Sequence, residues 1–162
     1  MKAIIMAAGV GKRLQALNIN KPKCLITVGS ETLIRRSVNL LVNKGISDIT
    51  VIVGFMAHLI RNELNNDVAY FENPDFISTN SIKSLWYAKD LLEDNVLLLN
   101  GDLYYEHGIL DYAINQTNPV VMLADSTRID NADYRFSFSG DQIIQFGKHL
   151  TNHETDGEYV GI

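Results

Sequence analysis

Short apolar runs recur along the chain at Lys2 to Ala8, Leu25 to Val28, Asp48 to Val53, Val68 to Phe71, Val96 to Leu99 and Val120 to Ala124. Their length and β-branched content predict strands. The run D-I-T-V-I-V, residues 48 to 53, is apolar enough on both faces to be a central buried strand. Between the runs the spacing becomes helical. Leu33, Leu40 and Leu41 mark the inward face of a helix from about Glu31 to Lys44, which Gly45 ends. Further helices are predicted over 57–64, 81–92 and 107–115; the one over 81–92 places Leu85, Ala88, Leu91 and Leu92 on one face. The segment N-P-D-F-I-S-T-N, residues 73 to 80, is rich in turn formers and predicts a loop. Strands alternating with helices imply right-handed βαβ units: an α/β, Rossmann-like, mostly parallel sheet with helices on both faces. After Asp125 the pattern changes. Tyr134 to Phe138 and Gln142 to Phe146 flank Ser139-Gly140-Asp141 and predict a β-hairpin near the C-terminus. Residues 148–157 lack periodicity and predict a mobile loop, and Tyr159 to Ile162 reads as the opening of a strand.

Composition narrows the possibilities. At 162 residues and 46% hydrophobic the chain fits one ordinary domain with a single sizeable core and no linker. A net charge of -5 argues against a nucleic-acid partner, because binding through counterion release needs a basic surface. The cations are local instead, gathered near residues 12 to 23. The single cysteine, Cys24, excludes an internal disulfide, fits a reducing compartment, and sits in an apolar run as a packing residue rather than a nucleophile. The apolar start is too short for a signal-peptide core, and no run approaches the roughly 20 residues of a membrane helix. A cytoplasmic protein without membrane partners is expected. His149 and His153 are four apart, but Thr151-Asn152 between them suggests a loop rather than a zinc-binding helix.

The first strand runs into Gly9-Val10-Gly11, and Lys12 and Arg13 follow directly. Glycines let main-chain N–H groups approach a ligand, successive N–H groups form a concavity for phosphate oxygens, and the two cations add charge. The turn is not a P-loop: Gly11-Lys12 is followed by Arg13, and the position five before Gly11 is Met6. Nor is it a dinucleotide fingerprint, since the place for a third glycine holds Leu14. Pro22 then stiffens Lys21-Pro22-Lys23, so Lys23 is presented from a restrained segment.

A-A-G-V-G-K-R-L, residues 7 to 14, followed by P-K-C-L, residues 22 to 25, resembles the nucleotidyltransferase family that joins a sugar phosphate or an alcohol phosphate to a nucleoside triphosphate. The wording of residues 73 to 85 resembles choline-phosphate cytidylyltransferases and their phosphonate-activating relatives more than glucose- or mannose-phosphate enzymes. Those usually carry a Gly-Leu-Ala-type motif where this chain has Ser84-Leu85-Trp86-Tyr87-Ala88. The resemblance implies a fold of the nucleotide-diphospho-sugar transferase type and transfer of a cytidylyl group from CTP to a small phosphate or phosphonate acceptor such as phosphocholine, with release of pyrophosphate. It implies Arg13 and Lys23 as catalytic cations. Ala8, Gly9, Gly11, Lys12, Arg13, Asn80, Ser81 and Ser84 would bind nucleotide.

Asp102, just past the strand at Val96 to Leu99, would hold magnesium; otherwise it caps the next element or simply ends the strand. Ser81 and Ser84 are also plausible helix caps. A quaternary ammonium would need aromatic faces, for which Tyr104, Tyr105, Trp86 and Tyr159 are the candidates. The family usually supplies a second metal-binding aspartate from a later strand, which leads to the expectation of one nucleotidyltransferase domain over 1–162, truncated at its C-terminus. Two other readings stay open: a sugar-1-phosphate nucleotidyltransferase, and a catalytically incomplete nucleotide-binding fragment.

Overall fold

The structure is a computed structural model describing residues 1–11, 20–127, 129–130 and 132–162. It contains two compact units, Met1–Ile114 and Asn115–Ile162. In chain order the first unit comprises β1 (Lys2–Ala7), β2 (Thr27–Val28), β3 (Glu31–Thr32), α1 (Leu33–Asn43), β4 (Ile49–Val53), α2 (Ala57–Leu64), β5 (Ala69–Glu72), α3 (Ser81–Tyr87), β6 (Val96–Asn100) and α4 (His107–Ile114). Four of these strands form a sheet in the order β5-β4-β1-β6, with every pairing parallel. Their carboxyl ends therefore share one edge.

The apolar runs explain that order. β1 and β4 are interior strands, and all five residues of β4 are buried. In register, Ile5 lies beside Val51 on one side and Leu99 on the other, so the three side chains project to the same face. Ile4 and Ile52 project to the opposite face, where they cluster with Ala8 and Ala88 under Phe71, Phe76, Leu85 and Leu91. Each such large side chain contributes about 1.5–3 kcal/mol by leaving water.

α1 begins where Thr32 accepts a hydrogen bond from Arg35 N through its hydroxyl and ends where Gly45, at φ +78°, turns the chain out. Leu33, Leu40 and Leu41 are buried, as the spacing predicts, together with Ile34, Ser37 and Val38. α1 starts at Leu33 rather than Glu31 because Glu31 and Thr32 pair with Val28 and Thr27 in a small hairpin. Residues 25–28 are likewise no single strand. Pro22, at φ -55°, seeds a 3-10 turn over Lys23–Leu25 in which Leu25 N donates to Pro22 O and Ile26 N to Lys23 O. The helix expected over 81–92 is split into α3 and a 3-10 turn at Lys89–Leu91. Tightening after buried Ala88 rotates the last residues, and Leu92 is exposed instead of sharing the core face. No helix among the described residues is long and apolar enough to cross a membrane.

The second unit is an antiparallel sheet in the order β7-β10-β8-β9, formed by β7 (Ala124–Asp125), β8 (Arg135–Ser139), β9 (Gln142–Gly147) and β10 (Gly157–Tyr159). The expected hairpin is β8–β9, closed by Gly140 at φ +61° and Asp141, with a register irregularity between Ser137 and Phe138. Phe136 is the buried centre of a ring cluster with Phe138, Phe146 and Tyr159. Two expectations change here. The run Val120 to Ala124 contributes to the sheet only at its end, and Val120 is exposed. Residues 148–157 contain a 3-10 turn, Asn152–Glu154, fixed by a reciprocal Thr151–Glu154 capping box, with Leu150 and Thr155 buried beside it. Hydrogen bonding to Thr151 holds the Glu154 carboxyl below its ordinary range.

Candidate active site

The carboxyl edge of the first unit's sheet is where the chain's local chemistry converges, as is usual for open α/β sheets. β1 exits through Ala8, which is buried, into Gly9 and Gly11. Gly9 is exposed, and a Cβ there would meet nothing within 4 Å, so its main chain stands open to a ligand. Gly11 has φ +61°, and a Cβ on it would come 3.2 Å from Lys23 Cγ. Turn and lysine stem are thus in direct contact.

Lys23 in turn reaches the loop after β6: its Nζ lies 3.4 Å from Asp102 Oδ2, with both side chains about a third exposed. Gly101 makes this approach possible. Its N–H donates to Met6 O at 2.9 Å, and a Cβ would stand 3.0 Å from that oxygen, 3.2 Å from Ala7 Cβ and 3.4 Å from Cys24 Cβ. Any larger residue would push apart the end of β1, the Lys23–Leu25 turn and the start of the Asp102 loop. Cys24 is the buried pivot of that junction. Burial, reinforced by the Asp102 charge, pushes its thiol up from 9.0 to about 12, so it packs as an uncharged thiol. An exposed lysine–carboxylate pair of this kind is worth only about 0–1 kcal/mol. It fixes the two groups near one another yet is readily exchanged for a phosphate and a cation.

The other side of the edge is internally satisfied. Asn73, 0% exposed, follows β5. Its Nδ2 donates to Thr79 Oγ1 at 2.9 Å and Ser84 Oγ at 2.8 Å, and its Oδ1 accepts from Asp75 N at 2.9 Å. Ser84, buried on α3, also donates to Asn80 O, so its hydroxyl is engaged in fastening α3 to Asn73. Asn80 caps α3 by accepting from Lys83 N at 3.0 Å, and Ser81 beside it is exposed. Phe76 anchors the loop over Gly54, where a Cβ would stand 2.6 Å from Phe76 Cβ and 2.9 Å from Ala8 O. Asn73, Gly54 and Gly101 were not singled out from the sequence. A glycine directly after an apolar strand was the available signal for the last two, and the asparagine of N-P-D, which can fold back on its own backbone, for the first.

Of the other expected residues, Lys12 and Arg13 lie outside the described residues. Each of the aromatic candidates has its own immediate neighbours. Tyr104 is exposed but has the Arg36 guanidinium 4.5 Å from its centroid. Tyr105 is buried, its phenol pushed above its ordinary value by burial. Trp86 is exposed, with Lys89 Nζ at 5.9 Å. Tyr159 packs edge-on against Phe136 within the second unit. No cluster of three or more metal-ligating side chains occurs among the described residues. Asp102 is an exposed oxygen donor of the type a hard cation takes when phosphate and water complete its shell.

A family model described as nucleotidyl transferase matches residues 2–122. The CTP:phosphoglutamine cytidylyltransferase of Campylobacter jejuni is 25% identical over 181 residues, covering 100% of this chain and 72% of that protein. The choline-phosphate cytidylyltransferase of Streptococcus pneumoniae is 34% identical over 107 residues, 64% of this chain and 45% of that protein. A solved structure of the CTP:phosphocholine cytidylyltransferase from Streptococcus pneumoniae superposes with a TM-score of 0.72 at 25% identity, over 98% of this chain and 65% of that one.

Proposed function

The chain belongs to the nucleotidyl transferase family, and from that premise we propose that it supplies the nucleotide-binding part of a cytidylyltransferase that joins CMP from CTP to a small phosphorylated acceptor. The observation that carries this reading is the contact of Gly11, Lys23 and Asp102 at the carboxyl edge of β1 and β6. An open glycine turn, a restrained cation and an exposed carboxylate meet there within reach of one polyphosphate. The similarity to cytidylyltransferases over the whole chain supports the choice of CTP.

In the proposed reaction an acceptor phosphate oxygen attacks the α-phosphorus of CTP in line. The new oxygen–phosphorus bond forms as the bond to the β-phosphate breaks, and pyrophosphate leaves with that electron pair. The acceptor carries about -1.5 to -2 charges at neutral pH and needs no general base. Catalysis is therefore positioning and charge neutralisation. The main chain at Gly9 and Gly11 approaches the nucleotide. Lys23 leaves Asp102 for the reacting or acceptor phosphate, and Lys12 and Arg13 are assigned to the departing β- and γ-phosphates. Asp102 would hold magnesium, which supplies charge neutralisation across the phosphate oxygens. Asn73 and Ser84 fix the 73–80 loop, and Asn80 and Ser81 are assigned to the nucleotide.

The test is pyrophosphate release by the full natural protein with each of the four triphosphates, against phosphocholine and glucose 1-phosphate. Release that is strongest with CTP and requires a phosphorylated acceptor is the expected result. Preference for glucose 1-phosphate would identify a sugar-1-phosphate nucleotidyltransferase instead. CTP binding without release under any condition would leave a nucleotide-binding protein.

A further inference from the structure

α1 starts at the functional edge. Leu33 N donates to Ile26 O, just past the Lys23–Leu25 turn, and the helix then runs toward the end of the sheet where β4 begins. Arg36 lies in its first turns and projects toward the loop after β6. Its guanidinium carbon is 4.5 Å from the centroid of Tyr104 and 5.8 Å from that of Tyr105. Tyr104 is two residues beyond Asp102, a separation of at most about 7 Å along the chain. The guanidinium thus stacks on a ring of the same loop that carries Asp102.

The partners of Arg36 are unusual for this unit. Arg35 pairs with Asp67 at 2.6 Å and Arg61 with Glu72 at 3.0 Å. Among the described residues no carboxylate pairs with Arg36, and its Nη1 is buried without a hydrogen-bond acceptor. Ser37, 1% exposed, and Tyr105, 9% exposed with its ring centroid 5.8 Å from the Arg36 guanidinium, carry only neutral hydroxyls. A guanidinium keeps its charge at any physiological pH, and an unsatisfied buried N–H is costly. Stacking on a ring leaves the edge of the guanidinium plane for an anion, the geometry in which arginine takes a carboxylate with two parallel hydrogen bonds. It also places a positive charge over the ring face that a quaternary ammonium would need.

We propose that Arg36, held against Tyr104, is an acceptor-specificity residue that reads a carboxylate on the phosphorylated acceptor and disfavours acceptors whose far end is only cationic. This rests on the cytidylyltransferase reading and adds the acceptor's chemical class to it. Phosphoserine and phosphoethanolamine differ by one carboxylate and make a matched pair of probes.

With the full natural protein, CTP and magnesium, the expected result is a kcat/KM for phosphoserine at least ~10-fold above that for phosphoethanolamine or phosphocholine. That is the discrimination expected of one charge-assisted pair. Arg36→Gln should remove the preference through the acceptor KM while leaving the KM for CTP within about twofold, and Arg36→Lys should restore part of it. Equal use of the two probes by the wild type, or an equal loss on both in Arg36→Gln, overturns the proposal. Acceptor binding is measured separately by thermal shift without nucleotide. Phosphoserine should raise the melting temperature more than phosphoethanolamine does, and only when Arg36 is present. If no transfer from CTP occurs with any acceptor, the functional reading fails, and the thermal shift still decides whether Arg36 binds a carboxylate; equal shifts in wild type and Arg36→Gln would show that it does not.

Discussion

The loop after β5 and the loop after β6 leave the same sheet edge, and their polar groups are used in opposite ways. After β5, Asn73 hydrogen-bonds forward to Asp75, Thr79 and Ser84, Thr79 donates back to Asp75 O at 2.8 Å, and Tyr87 OH donates to the Asp75 carboxylate. The polar side chains of that loop act largely on one another. After β6, the side-chain partner of Asp102 among the described residues is Lys23 at 3.4 Å, and both groups are open to water. A loop that satisfies itself in this way is held in place before any ligand binds. A loop whose charges are matched only by a weak, solvent-accessible pair keeps them available to other charged partners, as the proposed reaction requires.

That contrast can be broken by mutation. The largest effect is expected for Lys23→Ala, which should lower turnover by about 100-fold or more, in the range seen on removing one transition-state charge partner. The nucleotide-free melting temperature should barely move, because the pair with Asp102 is exposed. Kinetics and a melting curve on the same preparation check both halves of that expectation. Asn73→Ala should do the reverse. Stranding Asp75 N and leaving the Thr79 and Ser84 hydroxyls without their Asn73 donor costs about 1–3 kcal/mol, which at roughly 2–4 °C per kcal/mol for a chain of this size is a drop readily seen by calorimetry. A large loss of turnover with an unchanged melting temperature would mean Asn73 acts on ligand instead.

The third expectation concerns the junction between the loops. The Cys24 thiol is raised from 9.0 to about 12 when folded, so the unfolded chain loses its proton first as pH rises. The contribution of the buried thiol is complete below pH 9 and is lost between 9 and 12. Alkylation near pH 8 should therefore be slow in the native protein and fast after unfolding, and Cys24→Ser should flatten the high-pH decline in stability. The smallest effect is expected at Arg61, whose pair with Glu72 at 3.0 Å lies on the exposed surface. Arg61→Ala should cost less than about 1 kcal/mol and leave turnover untouched.

Much of the fold was legible because burial on both faces leaves an unmistakable record. The D-I-T-V-I-V run could only be a central strand, and the spacing of Leu33, Leu40 and Leu41 could only be one helix face. What failed was local competition. Glu31 and Thr32 have helical neighbours but pair across Gly29-Ser30 with Val28 and Thr27, and Leu92 follows a helical stripe that a 3-10 turn rotates out of phase. The Thr151–Glu154 capping box was present in the letters T-N-H-E, although its segment shows no periodicity. At the site, Gly11, Lys23 and Asp102 stood out by residue type and by the resemblance at residues 7 to 14 and 22 to 25; the structure brings them into contact, and their roles are those proposed above. Gly54, Gly101 and Asn73 were harder to see, since their roles depend on which distant atoms come within 3 Å, a property of the folded chain. Arg36 was invisible for the same reason: on a helix that reads as ordinary, only the approach of Tyr104 sets it apart.

The proposed site depends most directly on Asp102, and a magnesium titration of CTP-dependent pyrophosphate release in wild type and Asp102→Asn tests that role. The substitution keeps the shape and removes the charge. Turnover should fall by about 100-fold or more, the half-saturating magnesium concentration should rise by roughly 10-fold or more, and the nucleotide-free melting temperature should be unchanged or slightly higher. Superimposable magnesium curves with similar maximal rates would contradict that role and leave Asp102 as a residue that merely ends β6.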